Sequence, residues 1–316
     1  MKKFIFKTLL FSFPLLIIAV VLEVMLWYIP NEYSYKKEYL DKYSEDIETL
    51  ILGSSHTYGG LNPELFSSNT FNAGHNAQLL YYDNKILEKY KSRLGKLKTI
   101  ILPIAYPTLF ANYEIKHISH CQSNYGYYFG FWKYPSFEIM NNRLIHNLRK
   151  LKASYINKTM KYNCTKLGWS TAFNSKQTRD LTQTAYETLE WQTIENIKSE
   201  KNNKIFKENL SILRSILQWS KNNNVKVLLF TLPAYKTYRN NLNKEQLSRT
   251  FRATTDIADE YNNCIYFDLM SDNQYILSDF WDASHLSEFG AEKLSHFMDS
   301  VIQSDFKART HNTLYK

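Results

Sequence analysis

The chain has 316 residues, 44% hydrophobic and 16% aromatic, and a formal net charge of +9. That is enough apolar material for one large folded domain, or one with an insertion. The lysines are scattered, and no low-complexity basic arm or recognised binding motif is present, so nucleic acid is not an expected partner. Three cysteines are too few for a disulfide framework, and no residue spacing points to a metal or cofactor site.

From Thr8 to Tyr28 the chain is almost wholly apolar, long enough for a helix to cross a bilayer core of about 30 Å. Lys2, Lys3 and Lys7 precede this stretch, so the N-terminus is expected in the cytoplasm and everything after Pro30 outside. Trp27 and Tyr28 then sit at the outer interface. Glu23 is unfavourable there, since an acid at mid-bilayer costs about 2.5 to 3.5 kcal/mol, but it lies one turn from Trp27 and within reach of the headgroups. A cleaved signal peptide is the competing reading. The stretch ends in Trp27-Tyr28-Ile29-Pro30 and not in a small-residue cleavage site, which favours an uncleaved single-pass anchor over residues 1–30 with membrane lipid as its partner. An oxidising compartment would allow one disulfide, with Cys121 and Cys164 the favoured pair. Cys264 opens an apolar strand and reads as a small buried hydrophobe.

Residues 31–48 read as a polar linker. A short buried strand at Thr49–Leu52 ends in Gly53-Ser54-Ser55-His56, and a second strand is expected at Thr70–Ala73. Leu79, Leu80, Ile86, Leu87, Tyr90 and Leu94 recur at helical spacing, and Lys98–Ala105 is a strongly apolar strand. Over about 107–206 the pattern breaks into a tract rich in Tyr, Asn and Lys, read as a cap or insertion with helices near Asn142–Lys152 and Asp180–Lys198. Its Tyr125, Tyr127, Tyr128, Trp132 and Trp169 either stack on sugar rings or form the insertion's own small core. The rhythm resumes with a helix marked by Leu210, Leu213, Ile216 and Leu217. A strand at Val225–Leu232, a helix at Glu245–Tyr261, a strand at Cys264–Asp268 and a helix from Ser287 to Ile302 follow, before a polar tail at 304–316. Five apolar strands with helical crossovers predict an α/β fold over 49–303: a three-layer α/β/α sandwich on a five-stranded parallel sheet.

Asp282-Ala283-Ser284-His285 precedes the last helix, and both it and Ser55 follow strand ends, where open parallel sheets bind ligands. A serine is a poor nucleophile until a base takes its proton. His285 can be that base, and Asp282 can fix the imidazole tautomer and stabilise its positive charge. Each half also has an ordinary structural use, as small residues in a turn with a capping hydroxyl or as a loop Asp capping the turn before His. His56 and His75 lie close by and read as polar rim residues. Phe280 and Trp281 either shield the Asp–His pair and line an acyl pocket or pack under the last helix.

On these residues the chain resembles the SGNH hydrolase superfamily, the GDSL-like esterases and acyltransferases, over about 49–105 and 208–303. Gly53-Ser54-Ser55 matches the family's first block and implies Ser55 as nucleophile. Asp282 and His285, followed by Leu286-Ser287-Glu288-Phe289-Gly290-Ala291, match the last block, and the fold implied is the flavodoxin-like SGNH fold. The second block falls on Asn72-Ala73-Gly74-His75-Asn76-Ala77-Gln78. Gly74 is its only glycine, Ala77 takes the family position by strict spacing, and Asn76 and Gln78 are further oxyanion candidates. The third block's Asn is absent, because the sequence there reads Ile104-Ala105-Tyr106-Pro107. The pattern is similar to membrane-anchored SGNH-like proteins that act on bacterial surface polymers. That similarity implies an extracytoplasmic serine esterase or O-acyltransferase taking an acylated carbohydrate or acyl donor in cell-envelope polysaccharide modification. The alternative it leaves is a non-catalytic SGNH-fold subunit that partners a membrane acyltransferase.

Overall fold

A computed structural model describes residues 1–114, 119–132, 137–141 and 144–304. The helices are α1 (Lys2–Trp27), α2 (Glu32–Tyr43), α3 (Ser55–Gly60), α4 (Leu80–Tyr90), α5 (Ser119–Asn124), α6 (Glu138–Asn141), α7 (Leu144–Leu151), α8 (Leu181–Gln192), α9 (Glu200–Asn222), α10 (Lys236–Arg239), α11 (Lys244–Asp259) and α12 (Glu288–Gln303). The strands are β1 (Thr49–Ile51), β2 (Thr70–Asn72), β3 (Thr99–Pro103), β4 (Lys226–Thr231) and β5 (Cys264–Asp268). The described residues form two compact units, one from within 1–37 and 122–162, the other from within 38–121 and 163–304.

The larger unit is the expected α/β sandwich. All five strands are parallel, in the order β2-β1-β3-β4-β5, the flavodoxin-like doubly wound order. Leu50, Ile51, Ile100, Ile101 and Val227 to Phe230 are completely buried. Such strands, apolar on both faces, need helices above and below the sheet. α3 packs with α12, and α4 with α9. Right-handed crossovers in this strand order place those pairs in opposite layers. The chain leaves β1 toward β2 and leaves β3 toward β4, so the topological switch point lies at the carboxyl ends of β1 and β3.

The smaller unit contains α1, whose most apolar 18-residue window has a mean hydropathy of 2.7. This helix is long and apolar enough to cross a membrane. Its last turns pack with residues of 122–162, where Leu26, Ile29 and Leu151 are buried together. Tyr125, Tyr127, Tyr128 and Trp132 pack on one another or on Trp27, Tyr33 and Phe129 of the same unit. Of these, Tyr125 and Phe129 are buried in that unit, Tyr127 and Tyr128 partly so, and Trp132 is exposed.

Two expectations need correction. Residues 31–48, read as a polar linker, are mostly taken up by α2, with Tyr33, Lys36 and Leu40 buried at helical spacing. Cys121 and Cys164 are not bridged; no disulfide joins any of the three cysteines. Cys264, as read, opens β5 buried, and burial pushes its thiol well above the usual range. The insertion helices α7 and α8 lie within the expected ranges, while the tail from 305 onward lies outside the described residues.

Candidate active site

At the end of β1, Gly53 turns the chain with φ +105°, in the left-handed region that favours glycine. A Cβ there would come within 2.3 Å of the Pro103 ring at the end of β3. This tight approach delivers Ser55 as the first residue of α3. Ser55 Oγ lies 2.8 Å from His285 Nε2, although 230 residues separate them in sequence. His285 Nδ1 is 2.9 and 3.0 Å from the two oxygens of Asp282. A hydroxyl, an imidazole and a carboxylate therefore stand in one hydrogen-bonded line.

The loop that carries the last two is held by its own backbone. Asp282 Oδ1 accepts from the amides of Ser284 and His285, each at 2.8 Å, so the carboxylate organises the turn that presents the imidazole. Burial opposes the charge on Asp282. The neighbouring His285, its hydrogen bond and these two amides outweigh burial and hold the carboxyl down at about 2. Asp282 is thus ionised through the whole neutral range. Below the loop, Asp279 pairs with Lys293 at 2.6 Å and its carbonyl accepts from Ser287 N.

His285 also stacks on two rings, His56 at 5.0 Å between centroids and Phe173 at 5.2 Å. His56 is buried, not a rim residue, and its Nδ1 is 3.1 Å from Ser54 Oγ. Burial, reinforced by the adjacent His285, pushes its pKa down to about 3 against the pull of Asp282. It is a neutral neighbour of the imidazole. His75 is buried as well, stacked on Tyr58 at 4.9 Å, and does not line the cavity described below. Trp281 lines that cavity and meets Phe173 edge-on at 4.9 Å, whereas Phe280 belongs to the core under α12. Trp169 donates its Nε1–H to the Gly59 carbonyl at 2.7 Å and stands outside the cavity wall.

Ser55 and His285 open into a cavity of about 530 Å³, walled largely by apolar side chains such as Leu79, Leu80, Pro107, Phe110, Trp191 and Ile194. Asn76, Ala77 and Gln78 line it; Gly74 does not. The Gly74 amide donates to Asn72 Oδ1, and a Cβ there would meet Thr57 Oγ1 at 2.6 Å. Gly74 is therefore packed tightly inside the fold, with its amide turned to Asn72. Ala77 adopts φ +54°, and its N–H has no protein acceptor among the described residues. Gln78 spends its backbone N–H on the His75 carbonyl and points its side-chain amide at Asp83.

Asp83 escaped the sequence reading. It lies fully buried on α4 and lines the cavity, accepting from Gly53 N at 2.7 Å and Gln78 Nε2 at 2.5 Å. Burial raises its pKa to about 7, although both hydrogen bonds act in the opposite sense. Its signal was legible, because an acid at this position interrupts the apolar face of Leu79, Leu80, Ile86 and Leu87. After β3, Ala105 stands at the cavity wall, and its N–H donates to Thr108 Oγ1 at 2.9 Å. Gln192, on α8, is also buried in the wall. Its Oε1 accepts from Tyr238 Oη at 2.5 Å, which leaves its Nε2 without a protein acceptor among the described residues.

A sequence family described as "Protein of unknown function (DUF1574)" matches residues 32–299. No curated protein matches the chain in sequence. Among solved structures, a protein from Streptococcus pneumonia provisionally named a platelet activating factor shares 12% identity at a TM-score of 0.46, over 86% of this chain and 91% of that one. A protein from Bacteroides fragilis provisionally named an acylhydrolase shares 13% identity at a TM-score of 0.41, over 84% of this chain and 93% of that one.

Proposed function

The chain belongs to the DUF1574 family, and from its site we propose that it is a membrane-anchored, extracytoplasmic serine esterase or O-acyltransferase of SGNH type. The observation that carries this reading is the hydrogen-bonded line from Ser55 through His285 to Asp282. In the proposed reaction Ser55 Oγ attacks an ester carbonyl while His285 Nε2 takes the hydroxyl proton, and Asp282 balances the imidazolium. The same proton then passes to the departing alkoxide, leaving an acyl-Ser55. Water or a sugar hydroxyl, deprotonated by His285, attacks that acyl group and frees the serine.

The oxyanion formed in each step needs donors. The unspent N–H of Ala77 supplies one, and the Thr108 hydroxyl or the Gln192 amide stands in for the absent Asn. The apolar cavity suits an acyl chain, and the substrate class we assign is an acyl ester carried by, or destined for, cell-surface polysaccharide. α1 is the anchor to membrane lipid, with its lysine-flanked end in the cytoplasm.

A second reading has one observation behind it. With no Asn in Ile104-Ala105-Tyr106-Pro107, where the resemblance expects one, the fold would also serve a subunit that holds glycan or a membrane acyltransferase and does no chemistry. The test is ester turnover by the full chain in detergent micelles, with p-nitrophenyl acyl esters and an O-acetylated glycan. Release of acid that disappears in Ser55→Ala supports the enzyme; equal rates in wild type and Ser55→Ala support the subunit.

A further inference from the structure

The last turns of α1 are built into a folded unit. Glu23, the acid that a bilayer should disfavour, is buried, and its carboxylate accepts from Glu138 N at 2.7 Å, Ile139 N at 2.8 Å and Trp27 Nε1 at 2.8 Å. Tyr155 Oη donates to the Met25 carbonyl at 2.7 Å, and Tyr128 Oη to that of Trp27 at 3.3 Å. Glu138, Ile139 and Tyr155 therefore lie level with the final turns of α1, where a spanning helix leaves the hydrocarbon.

Over that same stretch the smaller unit presents an apolar face to its surroundings. Asn147 and Leu151 of α7 point inward, while Leu144, Ile145 and Leu148 are exposed, continued by Tyr155 and Ile156 in the next helical turns. Met140 is exposed on α6. Arg149 and Lys152 are also exposed on this segment. Apolar side chains beside exposed cations are the pattern of a helix lying in a membrane interface, with the cations at the headgroups.

We propose that this face is seated in the outer leaflet, so that α6 and α7 lie in the interfacial layer beside the emerging α1. The inference rests on α1 being a membrane anchor. Lipid is the occupant because α6 and α7 pack against α1, whose own exposed side chains are mostly apolar, and the face carries cations that suit anionic headgroups.

The test uses the full chain in vesicles of phosphatidylcholine and phosphatidylglycerol, with the photocrosslinker p-benzoylphenylalanine placed singly at Ile145, Leu148, Ile156, Leu15 or Lys207. After irradiation and digestion, mass spectrometry reads the added mass of a lipid on each peptide. Lipid adducts at Ile145, Leu148, Ile156 and Leu15, with none at Lys207, are the expected result. Adducts at Leu15 alone would overturn the seated face and leave the anchor standing. No adduct even at Leu15 would remove the anchor and the proposal with it. Crosslinks from Ile145 or Leu148 to protein in place of lipid would also overturn it, since the face would then belong to a partner chain.

Discussion

The Gly53 amide donates a 2.7 Å hydrogen bond to the buried carboxyl of Asp83, thirty residues further along the chain. The same oxygen holds the Gln78 amide, so one side chain ties the turn before Ser55 to the turn that contains Ala77. Asp83 and His56, both buried beside the serine, are shifted in opposite senses, and their effects on stability are opposite too. Asp83 titrates near 7 in the fold and near 3.8 unfolded, so its contribution falls as pH rises between those values. His56 titrates near 3 in the fold and near 6.5 unfolded, so its contribution rises as pH rises through that window. Between about pH 4 and 6.5 the two cancel. Asp83→Asn should leave stability climbing with pH, by up to about 1.4 kcal/mol per pH unit, and His56→Gln should leave it falling comparably. Urea midpoints taken across pH 4 to 7 check both slopes; parallel profiles for wild type and the two variants would contradict them.

Backbone conformation makes a second pair of opposed expectations. Gly53→Ala forces a side chain into φ +105° and against Pro103, and should destabilise by at least about 2 kcal/mol. Ala77→Gly relieves φ +54° and keeps the N–H, so it should gain up to about 1 kcal/mol with ester turnover retained. Thermal melts and initial rates of the two variants read these directions.

If Ser55, His285 and Asp282 act as one unit, their losses do not add. Ser55→Ala and His285→Ala should each cut ester turnover by about 10⁴-fold or more, and the double variant should be no worse than either. Asp282→Asn should keep the fold yet lose about 10⁴-fold through the wrong imidazole tautomer. Independent, multiplicative losses in the double variant would contradict this.

The apolar cavity predicts a preference among acyl groups. Each added methylene buried there should raise kcat/KM by about fourfold until the cavity is full. Turnover of p-nitrophenyl acetate, butyrate and octanoate in one series gives the slope. A flat series, or one that falls from acetate, would mean the cavity does not receive the acyl chain.

The missing third-block donor can be located by kinetics. Whichever of Thr108→Val and Gln192→Met removes the replacement should lower kcat by about 10² to 10³-fold, while the other leaves it within a few-fold of wild type. If neither variant lowers kcat, no replacement donor operates at these positions.

The sheet was legible because its strands are unbroken apolar runs, and β5 falls on Cys264–Asp268 as read. The site was legible at both ends, since parallel strand ends converge on one edge and bring Ser55 within 2.8 Å of His285. α2 was missed because Lys36 interrupts the Tyr33 to Leu40 stripe, and a buried lysine reads as solvent-facing. His56 was misplaced at the rim for the same reason, as polarity alone does not reveal a ring stacked on His285. Gly74 was a candidate by identity beside Ala77 by spacing, but a glycine answers local crowding as readily as it serves a ligand, and here Thr57 supplies the crowding.

A serine-reactive fluorophosphonate is the decisive probe, applied to the full chain in detergent and read by intact mass beside Ser55→Ala and His285→Ala. One adduct on wild type, mapped to the Ser55 peptide and lost in both variants, is the predicted result. No adduct on folded wild type, or an adduct that survives Ser55→Ala, would mean that the hydrogen-bonded line from Ser55 to Asp282 does not make an activated nucleophile.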